Sequence, residues 1–191
     1  QSSFHINSLF VSTPIRQAVS EGRADFVPVF LSDIPDLFKR NILEIDVAIV
    51  QVSPPDIHGY CTLGLSIDIA RSAVNNAKKI IALINPRMPR THGDGMIHTD
   101  RFAKMVFHPA ELHEEFYGDK MGDTEMAIGR NVAELIEDGS TLQMGIGTIP
   151  DAVLKYLTGH KNLGVHTEML SDGVITLVEK DIINNRCKSI H

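Results

Sequence analysis

The residues best placed to do chemistry lie between Thr141 and Glu168. Thr141, Leu142, Gln143 and Met144 read as the end of a buried strand. Gly145 and Gly147 follow at once, and Thr148, Ile149, Pro150 and Asp151 read as a helix start with Thr148 as its cap. A strand that feeds a glycine turn and then a helix N-terminus collects backbone N–H groups that can face an anion. The next apolar run, Leu163 to Thr167, ends in the carboxylate of Glu168. If the two strands are neighbours in a parallel sheet, the glycine turn and Glu168 emerge at one edge, the edge at which open α/β sheets bind their ligands.

Each feature also has a plainer reading. A glycine pair after a strand is met wherever a tight turn packs a helix on its strand. The dinucleotide fingerprint wants a third small residue where this chain has Pro150, which disfavours a Rossmann site. By spacing alone Glu168 is a solvated surface acid no more distinctive than Glu125 or Glu179. His58, His92 and His98, with Asp56, Asp94 and Asp100, mix zinc-ligand types but show no ligand pair at a recurrent short spacing, so loop packing is the expectation and no metal is assigned. Arg87 and Arg90 could meet phosphates or a carboxylate, or simply be solvated. There is no GxSxG elbow.

The bulk properties narrow the classes. A net charge of −6 gives no general reason to bind nucleic acid or an anionic membrane. No apolar run is long enough to span a bilayer, and no signal-peptide pattern is present. Two cysteines, Cys61 and Cys187, make neither a disulfide framework nor a metal spacing and suit a reducing compartment, so a cytoplasmic location is expected. The chain opens on Gln1 and closes on Cys187-Lys188-Ser189-Ile190-His191 without a polar fringe, which predicts a piece of a longer polypeptide.

Stepping along the chain, Thr13-Pro14 to Gly22 carries helix start and stop signals. Phe26 to Leu31 is rich in β-formers, and Ser32 is placed to cap a short helix bearing Ile34, Leu37 and Phe38. Ile45 to Val52 and Lys79 to Asn85 read as buried strands on either side of a helix over Ile67 to Lys78, with Ala70, Ala73, Val74 and Ala77 as its packing face. Loops fill 53–64 and 86–98, and a short strand is expected over Phe102 to Phe107. Strands alternating with helices predict parallel α/β sheets flanked by helices. The pattern breaks over 109–123, predicting a linker between a segment 1–108 and a segment 124–191. Ile128, Val132, Leu135 and Ile136 then recur at helical spacing, with Gly139 as the stop, and Gly173 to Glu179 begins a further element.

Four runs in register are more specific than any one of them: Ser53-Pro54-Pro55-Asp56-Ile57-His58-Gly59-Tyr60-Cys61-Thr62-Leu63-Gly64, then Met88 to Asp94 (MPRTHGD), Leu142 to Gly147 (LQMGIG), and Leu163 to Gly173 (LGVHTEMLSDG). Together they closely resemble the acetyl-CoA hydrolase/transferase family, in particular its 4-hydroxybutyrate and butyrate:acetate CoA-transferase members. The resemblance covers essentially the whole chain. It implies a CoA-transferase-like α/β fold, with 1–108 the later part of an N-terminal domain, 109–123 the linker and 124–191 the opening of a related C-terminal domain. It implies that Glu168 is the nucleophile, alternating between a mixed anhydride and a glutamyl-CoA thioester, and that Gln143 and Gly145, with Gly147 in the same turn, hold the oxyanion and CoA. Coenzyme A enters as substrate, as acyl-CoA; acetate, butyrate and 4-hydroxybutyrate are the partner acids, and a homo-oligomer is the expected assembly. Thr148 stands where many relatives have Gly or Ala, a departure that would alter the acyl pocket. Leu83 stands where many have an acid, a departure without an evident reading.

The chemistry so implied is self-consistent. A carboxylate with a reference pKa of about 4.3 is already ionised at neutral pH, so the nucleophile needs no partnering base. Its weakness is offset by a thiolate leaving group, whose conjugate acid has a pKa of about 8.5. Alternatives stay open at this point: a thioester hydrolase, an inactive fragment of such an enzyme, or a nucleotide-binding module without chemistry.

Overall fold

The computed structural model describes residues 4–115 and 120–190, which fall into two units, Gln1–Leu112 and His113–His191. Residues 116–119, within the stretch 109–123 expected to be a linker, lie outside the described residues.

In the first unit, β1 (Ile6–Ser8), α1 (Thr13–Ser20) and β2 (Ala24–Phe26) form a strand–helix–strand with parallel strands. The expected β-run over Phe26 to Leu31 is cut short. After Val27 N–H reaches the Ser8 carbonyl at 3.0 Å, Pro28 follows, fixed in φ and without a donor. Ser32 is not the cap of the next helix: a 3-10 turn, Leu31–Asp33, precedes α2 (Ile34–Lys39), and the Ser32 hydroxyl bonds the Asp33 carboxylate at 3.2 Å. The extra turn moves the helix start past Ser32.

The main sheet of this unit is parallel, in the order β3 (Val47–Val52), then β5 (Lys79–Ile84), then β7 (Lys104–Phe107). β4 (Tyr60–Thr62) and β6 (Met96–His98) pair antiparallel beside it, and α3 (Asp68–Asn76) joins β3 to β5. Alternate residues of the strands, Val52 with Ile80, Ala82 and Ile84, pack against Val74 of α3 and against Cys61, Leu63 and Ile97. The α/β expectation with a parallel sheet therefore holds, and Val74 does face the core as its helical spacing predicted.

The second unit runs α4 (Asp123–Ala133), β8 (Thr141–Leu142), α5 (Thr148–Tyr156), β9 (Gly164–Val165) and α6 (Gly173–Glu179), with β8 and β9 parallel. Its core gathers Ala133, Leu154, Leu157, Leu163, Val174, Leu177, Ile182 and Ile183. The α4 stripe differs from expectation. The helix ends at Ala133, so Leu135 falls beyond it and stays 82% exposed, while Gly129 and Ala133 are the buried pair. Close helix packing is the reason: a Cβ on Gly129 would lie 2.7 Å from the Ala152 carbonyl carbon and 2.9 Å from the Ala152 Cβ of α5.

Gly129→Ala sets two effects against each other. Helix propensity favours alanine by about 1 kcal/mol, whereas overpacking against backbone costs about 1–3 kcal/mol. Since the contacted atoms include main chain, which cannot swing aside, the clash should win. Urea unfolding is expected to show a net loss of about 1 kcal/mol, and a variant more stable than the parent would contradict this packing.

Candidate active site

The site is assembled on β9. Leu163 is fully buried at its head; its N–H donates to the Ile182 carbonyl at 2.8 Å and its carbonyl accepts from Asn184 at 3.0 Å. On the opposite side, Gly164 N–H donates to Ser140 and His166 N–H to Leu142, each at 2.9 Å, which sets the parallel register Thr141↔Gly164 and Leu142↔Val165. A side chain at 164 would meet Thr141 Oγ1 at 3.0 Å, so the pairing of the two strands is close enough to favour glycine there. The Val165 N–H is satisfied by Asn185 Oδ1 at 2.8 Å. The two strands are thus parallel neighbours, the condition under which both chains reach the same edge.

Past the last ladder bond the two chains stay together through side chains. The Met144 N–H donates to Thr167 Oγ1 at 3.1 Å, and the Thr167 hydroxyl donates to the Met144 carbonyl at 2.8 Å. One residue back, Gln143 Nε2 donates to both oxygens of Glu168, at 2.9 and 3.3 Å. Gln143, Thr167, Glu168 and Lys188 line an open cavity of about 620 Å³. Glu168 is exposed, and its carboxyl is held below the ordinary glutamate range by the Gln143 amide first and its own backbone N–H second; the slight burial opposes them.

The glycine turn leads from Gln143 into α5. Gly147 has φ +127°, a conformation that suits glycine, and it rather than Thr148 is the N-cap; Thr148 is the first helical residue, and no side chain caps the helix. The one-residue offset follows from the Gly147 conformation, since the residue that breaks helical φ is the cap. Gly145 is exposed, and a Cβ there would meet only Pro150 Cγ at 3.9 Å. Among the described residues nothing crowds a Cβ at 145, and the glycine leaves that backbone uncovered. Gly145 and Gly147 do not line the Glu168 cavity. Ile146 instead lines a second cavity of about 600 Å³, with Leu154 and Leu177, whose lining includes Met169 and Leu170, the two residues after Glu168 that also line the first.

The other candidates belong to the first unit. Asp56 accepts the His58 and Tyr60 N–H groups at 2.9 Å each and Arg90 Nη2 at 2.6 Å; the Tyr60 N–H is the largest cause that holds its carboxyl below the usual range. Arg87 pairs with Glu111 at 2.8 Å, and Asp94 with Arg71 at 3.3 Å. His98 bonds the His58 carbonyl at 3.1 Å and packs edge-on against Tyr60. These groups pair with one another and with backbone, the bland reading of the two loops. Among the described residues, no three of His, Cys, Asp and Glu are grouped to hold a metal.

Sequence reasoning passed over Thr167 and Lys188. The first had a signal, a threonine directly before the carboxylate; the second had none, because it reaches the cavity from 20 residues further along the chain.

Comparison with known proteins identifies the family of the chain. A model of the acetyl-CoA hydrolase/transferase N-terminal domain matches residues 1–114. The chain is 50% identical to the 4-hydroxybutyrate coenzyme A transferase of Clostridium kluyveri, over 100% of this chain and 44% of that protein. It is 48% identical to the succinyl-CoA:acetate/propanoyl-CoA:succinate CoA transferase of Fasciola hepatica, over 98% of this chain and 39% of that protein. Among solved structures, the 4-hydroxybutyrate CoA-transferase of Porphyromonas gingivalis superposes with a TM-score of 0.83 at 37% identity, covering 98% of this chain and 48% of that one. The chain thus spans less than half the length of these relatives. On the match over residues 1–114 and the identity over its full extent, the chain belongs to the acetyl-CoA hydrolase/transferase family.

Proposed function

We propose that the full-length protein is a CoA-transferase that moves CoA between an acyl-CoA and a small carboxylic acid, with Glu168 as the covalent nucleophile. The observation that carries this reading is the Gln143–Glu168 contact: an exposed, ionised carboxylate held by an uncharged amide at the carboxyl edge of a parallel pair. Residues 1–108 belong to the N-terminal domain of that enzyme and 124–191 open the C-terminal one, with 109–123 as linker. A cytoplasmic setting suits the two unpaired thiols, Cys61 and Cys187.

The cycle balances with no further reagent. A Glu168 oxygen adds to the thioester carbonyl and CoA leaves as thiolate, giving a mixed anhydride. The thiolate attacks the glutamyl carbonyl, releasing the first acid as carboxylate and leaving a glutamyl-CoA thioester. An incoming carboxylate attacks that thioester, expels CoA thiolate and forms the second anhydride. Attack of the thiolate on the new acyl carbon gives the product and returns Glu168 to its carboxylate. Each addition places negative charge on a carbonyl oxygen. Gln143, which lines the Glu168 cavity, is the donor for it, and one such donor is worth roughly 3 kcal/mol of barrier. When Glu168 is acylated its charge is gone, and the Gln143 amide is released to the developing oxyanion. Acetate, butyrate, 4-hydroxybutyrate and succinate, the acids in the relatives' names, are the substrates to try first.

Incubating the full-length protein with acyl-CoA, reducing with borohydride and mapping the peptides should place the modification on Glu168. Glu168→Ala should lower turnover by roughly 10³-fold or more, as expected for removing a nucleophile, and normal transferase rates in that variant would refute the assignment. A hydrolase, the other activity in the family's description, is separated by leaving out the acceptor acid: sustained CoA release marks hydrolysis, and its absence marks transfer.

The pH response has a definite sign. Lowering of the Glu168 pKa favours the charged form, so the nucleophile stays ionised as the pH falls and is lost only through a value below the ordinary glutamate range. Gln143→Leu removes the largest cause of that shift. The acid limb of the rate of glutamyl adduct formation should therefore move to higher pH, and an unmoved limb would separate Gln143 from the ionisation of Glu168.

A further inference from the structure

The ladder between β8 and β9 stops at a place that bears on the chemistry. Its bonds run from Gly164 N–H to Ser140 and from His166 N–H to Leu142, each at 2.9 Å. Continued by the even spacing of a parallel pair, the next bonds would join Met144 N–H to the His166 carbonyl and Glu168 N–H to the Met144 carbonyl. Neither forms in that way. The Thr167 hydroxyl takes both Met144 groups, accepting from the N–H at 3.1 Å and donating to the carbonyl at 2.8 Å.

Resting on the transferase reading above, we infer that Thr167 is a positioning residue: its hydroxyl replaces two main-chain bonds, holding Met144 in place and leaving the Glu168 backbone N–H unused by the ladder. Two consequences follow from the geometry. Gln143 lies between Leu142, bound by the last ladder bond, and Met144, bound by Thr167, so its backbone is fixed on both sides and its amide is aimed at Glu168. The Glu168 N–H makes no ladder bond, and after the Gln143 amide it is the second cause that holds the Glu168 carboxyl below the ordinary glutamate range. A hydrogen-bonded β-branched side chain suits this role, because its χ1 is stiff and its hydroxyl can accept and donate at once. The alternative is that Thr167 only fastens two strand ends for stability.

The test uses full-length protein and three variants. Thr167→Val keeps the shape and removes both hydrogen bonds; Thr167→Ser keeps the hydroxyl and loses the stiffening methyl; Thr167→Ala repeats the deletion without bulk if the valine variant fails to fold, as judged by circular dichroism. Turnover with acyl-CoA and acetate is expected to fall roughly 10- to 100-fold in Thr167→Val, in line with a small misplacement of reacting groups, with KM for acyl-CoA within about threefold of the parent. Thr167→Ser should recover to within about threefold of the parent, and the acid limb of adduct formation should move up in pH in Thr167→Val and Thr167→Ala but not in Thr167→Ser. Parent-like turnover in Thr167→Val, or a serine variant as slow as the valine one, would overturn the inference. Failure of the transferase reading looks different: the parent protein itself would then carry no borohydride-trapped adduct on Glu168.

Discussion

A parallel pairing only two residues long fixes where everything at this edge sits. Gln143 and Glu168 are 25 positions apart, and their contact exists because β8 and β9 run side by side in one register. A slip by a single residue would turn each side chain to the opposite face. So short a ladder cannot resist slipping by its own hydrogen bonds. Resistance comes from around it: Leu163 is fully buried and bonded to 182–184 on its far side, a Cβ at Gly164 would press on Thr141 Oγ1 at 3.0 Å, Asn185 satisfies the outer N–H of Val165, and Thr167 satisfies Met144 beyond the ladder. Buried mass, close approach and three side-chain bonds do the work that a longer strand would do elsewhere.

The electrostatics of Glu168 follow from where that register leaves it. Burial in an apolar pocket would raise a carboxyl pKa and turn the group into an acid. Here the carboxylate faces water and is bound by an uncharged amide and by its own N–H, so it stays ionised. A lysine or arginine in direct contact would also keep it ionised, but would hold the charge more firmly in the ground state than in an anhydride where that charge has gone. Lys188 lines the same cavity, yet among the described residues it forms no ion pair with Glu168. In the cycle proposed above, a neutral donor suits a nucleophile that loses and regains its charge.

The first unit shows polar residues used in a different way. Asp56 is met by two backbone N–H groups and by Arg90, and Thr62, Thr91 and the Gly64 carbonyl form a chain of bonds between the two long loops. Histidine and aspartate in such loops are then explained by the need to satisfy backbone groups that no helix or ladder reaches. The types of residue are those of a metal site; the partners are those of a folded loop.

Local chemistry determined a good deal. Alternating apolar runs and helical spacings in the sequence specify the parallel α/β elements, and the order strand, glycine turn, helix, strand, glutamate is written out between Thr141 and Glu168. Those features depend on neighbours a few positions apart, which a sequence displays directly. Other outcomes depended on atoms brought together from far along the chain. Gly129 is the buried residue of α4 because Ala152 presses on it, and Leu135 is exposed because the helix has already ended. The cap moved from Thr148 to Gly147 with a single backbone angle. Thr167 clasps Met144, and Gln143 reaches Glu168, only once 20 and more intervening residues have folded back to set one register. Spacing along a chain fixes which face a residue takes; which partner it finds there is a matter of distances in three dimensions.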